Sequence, residues 1–166
     1  MTRATPYRVC FVCSGNICRS PMAEAVLRRM AAEAGLADRV AVSSAGMGGW
    51  HVGESADPRA ASALTRRGYA LRHAARQWKP VDFADMDLVV ALDGDHYRQL
   101  VRMAPDPSER AKIRRLRSFD PASGDDLDVP DPYHGGTRGF EQVLDLIEAG
   151  CAGILAGIRP VLEPPA

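Results

Sequence analysis

From Tyr7 to Val12 the chain is a short β-branched and aromatic run of the kind that forms a buried parallel strand. The pattern then changes period. Met22, Val26 and Met30, with Ala23, Leu27 and Ala34, recur at helical spacing. Ser20 reads as the N-cap of that helix, Pro21 as its first residue and Gly35 as its terminating cap. Val40 to Ser43 predicts a second strand, and Pro58 to Arg67 a helix stopped at Gly68. Leu88 to Leu92 is a strong third strand, with a helix from about Asp95 to Arg102 after it. Lys112 to Leu116 is a weaker fourth strand. Phe140, Val143, Leu144 and Ile147 announce a final helix, and Pro160 to Ala166 reads as a frayed tail.

Alternating strands and helices imply an α/β fold: a single-domain three-layer sandwich, with a four-stranded parallel sheet flanked by helices and right-handed crossovers. In such folds ligands bind beyond the carboxyl ends of the strands. At 166 residues with 46% apolar content, one domain spanning 1–166 is expected, and no repeat, low-complexity segment or linker divides it. A formal net charge of zero and a pI near 6.9 offer no reason to expect nucleic acid as a partner. No apolar run is long enough to span a bilayer and Met1 to Pro6 is not signal-like, so a cytoplasmic protein with no membrane association is expected. Four cysteines without zinc-ligand pairs suggest no metal site.

The chemistry concentrates in Cys13-Ser14-Gly15-Asn16-Ile17-Cys18-Arg19-Ser20-Pro21, where the first strand meets the first helix. A Cys followed six positions later by an Arg is a weak pattern alone; the strand-loop-helix junction makes it specific. The amides from Ser14 to Arg19 are expected to form an anion-binding nest at a helix N-terminus, with Gly15 relieving the backbone where the loop curls. A helix N-terminus, a neighbouring guanidinium and a hydroxyl donor all favour a thiolate nucleophile at Cys13. Arg19 offers a planar fork for two phosphoryl oxygens at once. Attack on phosphorus also needs an acid for the leaving oxygen. Asp131 is the candidate, because Pro130, Pro132, Gly135 and Gly136 fix an irregular loop around its carboxyl.

These residues resemble the bacterial low-molecular-weight protein tyrosine phosphatases. The resemblance runs through Cys13 to Pro21, Ser43-Ser44-Ala45-Gly46 with Gly49-Trp50-His51, Asp57-Pro58-Arg59-Ala60, His73-Ala74-Ala75-Arg76-Gln77 and Asp131-Pro132-Tyr133. It implies hydrolysis of phosphotyrosine on proteins through a phosphocysteine on Cys13, with Arg19 binding phosphate. Asp131 would serve first as general acid and then as base. Ser14, Gly15, Asn16, Ile17, Cys18 and Ser20 would complete the phosphate-binding loop. Asn16, Ser20, Ser44 and His73 match a supporting polar network, and Ile17, Met47, Trp50 and Tyr133 a substrate pocket with aromatic walls. No cofactor is implied. The implied partners are phosphotyrosine proteins and a cognate tyrosine kinase, with inorganic phosphate as product.

Two positions depart from the family pattern: Met47 stands where a small hydroxyl residue is common, and His134 where a second Tyr is common. Met47 bears on the rim that meets residues flanking phosphotyrosine, and His134 removes one regulatory phosphorylation site while leaving Tyr133. His51 reads as a loop residue. The resemblance also implies a reversible Cys13–Cys18 disulfide that protects the nucleophile. Cys10 falls inside a strand and should face a packed layer, which argues against a thioredoxin-type Cys10-x-x-Cys13 pair. Cys151 shares the apolar stripe of the last helix with Ile147, Ile154, Leu155 and Ile158. The acids between Asp120 and Asp128 read as a solvated lead into the Asp131 loop. Three rival functions stay in view. An arsenate reductase needs mid-chain cysteines, and none lies between Cys18 and Cys151. A protein arginine phosphatase carries Thr where Ile17 stands. A phosphotyrosine-binding module needs neither nucleophile nor acid.

Overall fold

In the computed structural model, which describes residues 5–133 and 137–163, four strands form one sheet. They are β1 (Tyr7–Cys13), β2 (Val40–Gly46), β3 (Leu88–Ala91) and β4 (Ile113–Arg115). The order is β2-β1-β3-β4 and every neighbouring pair is parallel. Strand β1 is central and fully buried from Val9 onward, which is why it shows a continuous apolar run rather than alternation. Its side chains divide between two cores. Val9, Phe11 and Cys13 pack with α1 (Arg19–Glu33), α2 (Pro58–Arg66) and α5 (Thr137–Leu162) on one side. Cys10 and Val12 pack on the other with Trp78, Phe83 and Leu100, the last from α3 (Gly94–Met103). The sheet is thus covered on both faces as expected.

Local chemistry sets the ends of the helices. Gly35 and Gly68, at φ of 75° and 81°, take the left-handed position after α1 and α2. In each, the next residue's amide reaches back across the turn, Leu36 to the Ala31 carbonyl and Tyr69 to the Leu64 carbonyl. Asp57 and Asp93 cap α2 and α3 with their carboxylates.

Several boundaries differ from the sequence reading. Helix α1 starts at Arg19 with Cys18 as cap residue, so Ser20 lies inside the helix and its hydroxyl is used by the loop instead. β2 runs on to Gly46 because Ser44, Ala45 and Gly46 pair with Phe11, Val12 and Cys13. Leu116, read as strand, opens a 3-10 turn, Leu116–Phe119. A second 3-10 turn, Pro80–Asp85, and α4 (Pro107–Arg110) carried too few residues to show a period. Helix α5 does not fray at Pro160. It continues to Leu162, whose side chain is buried and whose carbonyl accepts a hydrogen bond from Arg39 at 2.8 Å. Residues 164–166 lie outside the described residues, as does His134.

Candidate active site

The turn after β1 is built around one side chain. Asn16 is fully buried and is the only non-glycine among the described residues with positive φ, at 60°. It, and not Gly15, takes the left-handed step of the loop. An Asn tolerates that conformation better than other side chains, and here its amide is also saturated. Asn16 Nδ2 donates to Ser20 Oγ at 2.8 Å and Ser44 Oγ at 2.9 Å, while its Oδ1 accepts from the Arg76 amide at 3.0 Å. Its backbone carbonyl accepts from His73 Nε2 at 2.6 Å, and the Ser44 hydroxyl donates to Glu24 Oε1 at 2.7 Å. Ser20 Oγ, which accepts from Asn16, lies 2.9 Å from Cys13 Sγ and 3.4 Å from the Ala45 carbonyl, so its one proton has two acceptors in reach. The expected network of Asn16, Ser20, Ser44 and His73 is therefore assembled beneath the sulfur, with Glu24 as an added member.

Glycine is needed beside this loop for space. A Cβ on Gly46 would sit 2.9 Å from the Ser14 carbonyl oxygen and 3.0 Å from the Gly15 carbonyl carbon, so β2 can approach the loop only without a side chain there. The amides of residues 14–18 meet no backbone acceptor among the described residues. They are thus available to an anion at the N-terminus of α1.

Arg19 is almost completely buried, and its guanidinium is held along one side. Nη1 donates to Asp93 Oδ2 and to the Val129 carbonyl, both at 2.8 Å, and Nη2 reaches Ser14 Oγ at 3.5 Å. Nη2 also lies 3.7 Å from Asp131 Oδ2. These contacts leave Nε and one Nη2 proton as a free two-donor edge, the geometry that suits a pair of phosphoryl oxygens. Burial alone would raise the Asp93 carboxyl, but the His96 amide, the His96 ring and Arg19 together hold it below the ordinary carboxylate range.

Asp131 is half-exposed and sits on a loop anchored by its neighbours. The Val129 amide donates to the Leu92 carbonyl at the end of β3, and the Val129 carbonyl takes the Arg19 proton just described. Asp131 Oδ1 accepts from the Tyr133 amide at 3.0 Å. Arg59 lies against the rings of both Tyr133 and Phe140, at 5.4 and 4.9 Å, and pairs with Asp57, whose amide donates to the Ile17 carbonyl. The acid loop, α2 and the phosphate loop are thereby tied together.

A cleft of about 210 Å³ is lined by Cys13, Ser14, Gly15, Ile17, Cys18, Arg19, Trp50, His51, Asp131 and Tyr133. Trp50 is 73% exposed, an uncommon place for an indole, with its ring folded over Gly48. Met47 is displaced from its expected role. It follows β2, is half-buried and packs against the core cluster that includes Trp78 and Phe83, because alternation along the strand turns it away from the cleft. His51, read only as a loop residue, lines the cleft beside Gly15, its Nδ1 held by Glu54 at 2.9 Å. Asp93 and His96 were missed as well; position was their only signal, immediately after the carboxyl end of β3.

All four cysteines are free thiols. Burial pushes Cys18 up to about 12, with Asp57 adding to the effect, and pushes Cys10 up to about 11 against the pull of Arg76. Burial also raises Cys151, which packs on α1 with its sulfur 3.7 Å from the Ala23 carbonyl. Among the described residues no cluster of His, Cys, Asp or Glu could hold a metal ion, and no helix is long and apolar enough to cross a membrane. Asp126 and Asp128, within the acidic lead, pair with Arg117 and Arg115.

The sequence model of the low molecular weight phosphotyrosine protein phosphatases matches residues 8–161. The chain belongs to this family. It is 58% identical to a low molecular weight protein-tyrosine-phosphatase of Streptomyces coelicolor, over 95% of this chain and 96% of that protein. The crystal structure of YfkJ from Bacillus subtilis superposes with a TM-score of 0.88 at 40% identity, covering 95% and 97% of the two chains. DARP, a Drosophila arginine phosphatase, superposes at 0.84 with 34% identity, covering 91% and 97%. Low-molecular-weight phosphatases are cysteine-dependent hydrolases, and the Cys and Arg of that chemistry stand here at the end of β1 and the start of α1.

Proposed function

We propose that this chain is a protein tyrosine phosphatase that hydrolyses phosphotyrosine on proteins without a cofactor, within a bacterial cytoplasmic signalling circuit that includes a tyrosine kinase. The observation that carries the reading is the free edge of the Arg19 guanidinium, held from behind by Asp93 and Val129 and flanked by the Cys13 loop and Asp131.

In the first step the Cys13 thiolate attacks phosphorus, the P–O bond to the aryl group breaks, and protonated Asp131 gives its proton to the departing phenolic oxygen. Charge on the equatorial oxygens falls on Arg19 and the loop amides, where fixed donors act without reorganisation. In the second step the Asp131 carboxylate takes a proton from water as its oxygen attacks the phosphocysteine. The S–P bond breaks, orthophosphate leaves and the thiolate is restored. Ile17, Trp50 and Tyr133 supply apolar walls for an aromatic ring, which a shorter phosphoserine would not reach.

The test is turnover of phosphotyrosine, phosphoserine and phosphoarginine peptides by the wild type and Cys13→Ser in the presence of chelator. Chelator-resistant release of phosphate from phosphotyrosine alone, lost in Cys13→Ser, is the expected result. Preference for phosphoarginine would assign the substrate class of the Drosophila relative instead.

A further inference from the structure

Behind Arg19 lie two polar groups that the catalytic steps do not use, His96 and Asp93. His96, on the first turn of α3, has only 2% of its surface exposed. Its Nε2 lies 2.9 Å from Ser14 Oγ and its Nδ1 lies 3.2 Å from Asp93 Oδ1, off the line of a hydrogen bond. Asp93 holds Arg19 Nη1, and Arg19 Nη2 reaches back to Ser14 Oγ, which closes the circuit. The four side chains come from the phosphate loop, α1 and the β3–α3 junction, so only the folded sheet brings them together.

The charges in this circuit fix its protons. A lone pair on Nδ1 would face a carboxylate oxygen at 3.2 Å and be repelled, whereas an Nδ1 proton is attracted there. A neutral ring with its proton on Nδ1 must then accept at Nε2, so the Ser14 hydroxyl donates to His96. Ser14 Oγ is left with lone pairs to accept from Arg19. Burial, aided by Arg19, keeps the ring neutral by pushing His96 down to about 4.

We propose that His96 is a positioning residue for phosphate binding: by accepting the Ser14 proton it turns the Ser14 oxygen toward Arg19 and fixes the plane in which the guanidinium meets a phosphoryl group. The proposal rests on Arg19 as the phosphate-binding residue of the reading above. Phenylalanine keeps the size of the ring and removes the acceptor. Glutamine can place its Oε1 near the position of Nε2 and restore it.

Calorimetric titration of orthophosphate into the wild type, His96→Phe, His96→Gln, Ser14→Ala and the Ser14→Ala/His96→Phe double variant tests this directly. One lost hydrogen bond corresponds to roughly 2- to 10-fold weaker phosphate binding in His96→Phe. His96→Gln is expected to bind as the wild type does, Ser14→Ala to lose about as much as His96→Phe, and the double variant to lose no more than either, because both act through one hydroxyl. Wild-type phosphate affinity in His96→Phe, or losses that multiply in the double variant, would overturn the proposal. A lowered unfolding midpoint with unchanged phosphate affinity would do the same, by making His96 a packing residue only. Should His96→Phe not fold, Ser14→Ala and His96→Gln decide the matter, and wild-type affinity in Ser14→Ala refutes it. Failure of the wild type to hydrolyse any aryl phosphate would strike the functional reading alone, since the titrations need no turnover.

Discussion

The His96 ring makes stability depend on pH in a calculable way. In the unfolded chain it titrates near 6.5, and in the folded protein burial moves it to about 4. A histidine whose folded pKa is depressed leaves the unfolded chain holding more protons between those values, so its contribution to stability rises with pH across that window. Below about 4 both states are protonated and the penalty is full; above about 6.5 both are neutral and it is gone. The span corresponds to about 3 kcal/mol, and at pH 5 about 2 kcal/mol of it is still missing. The variant for comparison is His96→Phe, which fills the same volume and cannot titrate. Urea unfolding from pH 4.5 to 8, followed by fluorescence of the buried Trp78, gives both profiles, because the exposed Trp50 changes little on unfolding. The wild-type minus variant difference cancels the carboxylates common to both proteins. It is expected to shift in favour of the wild type by about 2 kcal/mol between pH 5 and pH 8. Parallel profiles would show that the folded ring protonates at its ordinary pH and would refute the reasoning.

Other outcomes follow from the same geometry. Asp131→Ala is expected to lower kcat on phosphotyrosine peptide by roughly 10²–10⁴-fold, with far less loss on an ester whose leaving group needs no acid; equal turnover by variant and wild type would remove the acid from this residue. Gly46→Ala pushes a Cβ into the Ser14 and Gly15 backbone and should cost about 1–3 kcal/mol in urea unfolding together with most activity. Gly15→Ala, whose one close approach is to the His51 side chain at 2.9 Å and not to backbone, should be tolerated better in both measurements. Iodoacetate mapped by mass spectrometry should label Cys13 first and be blocked by phosphate, since burial keeps Cys18 and Cys10 protonated up to about 12 and 11. Early labelling of Cys18 would contradict that order.

Much of this molecule can be read along the chain because its information is local. A strand buried on both faces needs a continuous apolar run, and β1 shows one. Helices stopped by a left-handed residue need glycine, and Gly35 and Gly68 stand where α1 and α2 end. A phosphate loop between strand and helix draws its nucleophile, amides and guanidinium from nine consecutive residues, so Cys13 and Arg19 were legible from their spacing together with the strand and helix that flank them. Asp131 could be named because two prolines isolate its carboxyl, and Trp50 because it matches an aromatic wall of the family the sequence resembles. What sequence spacing could not reach are contacts made by residues far apart in the chain. Asp93 and His96 lie more than seventy positions from the Arg19 and Ser14 they hold, and become neighbours only when β3 pairs beside β1. Met47 was drawn toward the cleft by motif position and toward the core by strand alternation, and it lies half-buried against the second core cluster, outside the cleft lining. Ser20 looked like a helix cap and became the partner of a sulfur, because Asn16 had turned the loop left-handed and occupied its lone pair. The chain alone thus singled out most of the residues that line the candidate site. The tertiary structure alone decided which proton each one holds, since that depends on burial and on charges that only the packed sheet brings within a few ångströms.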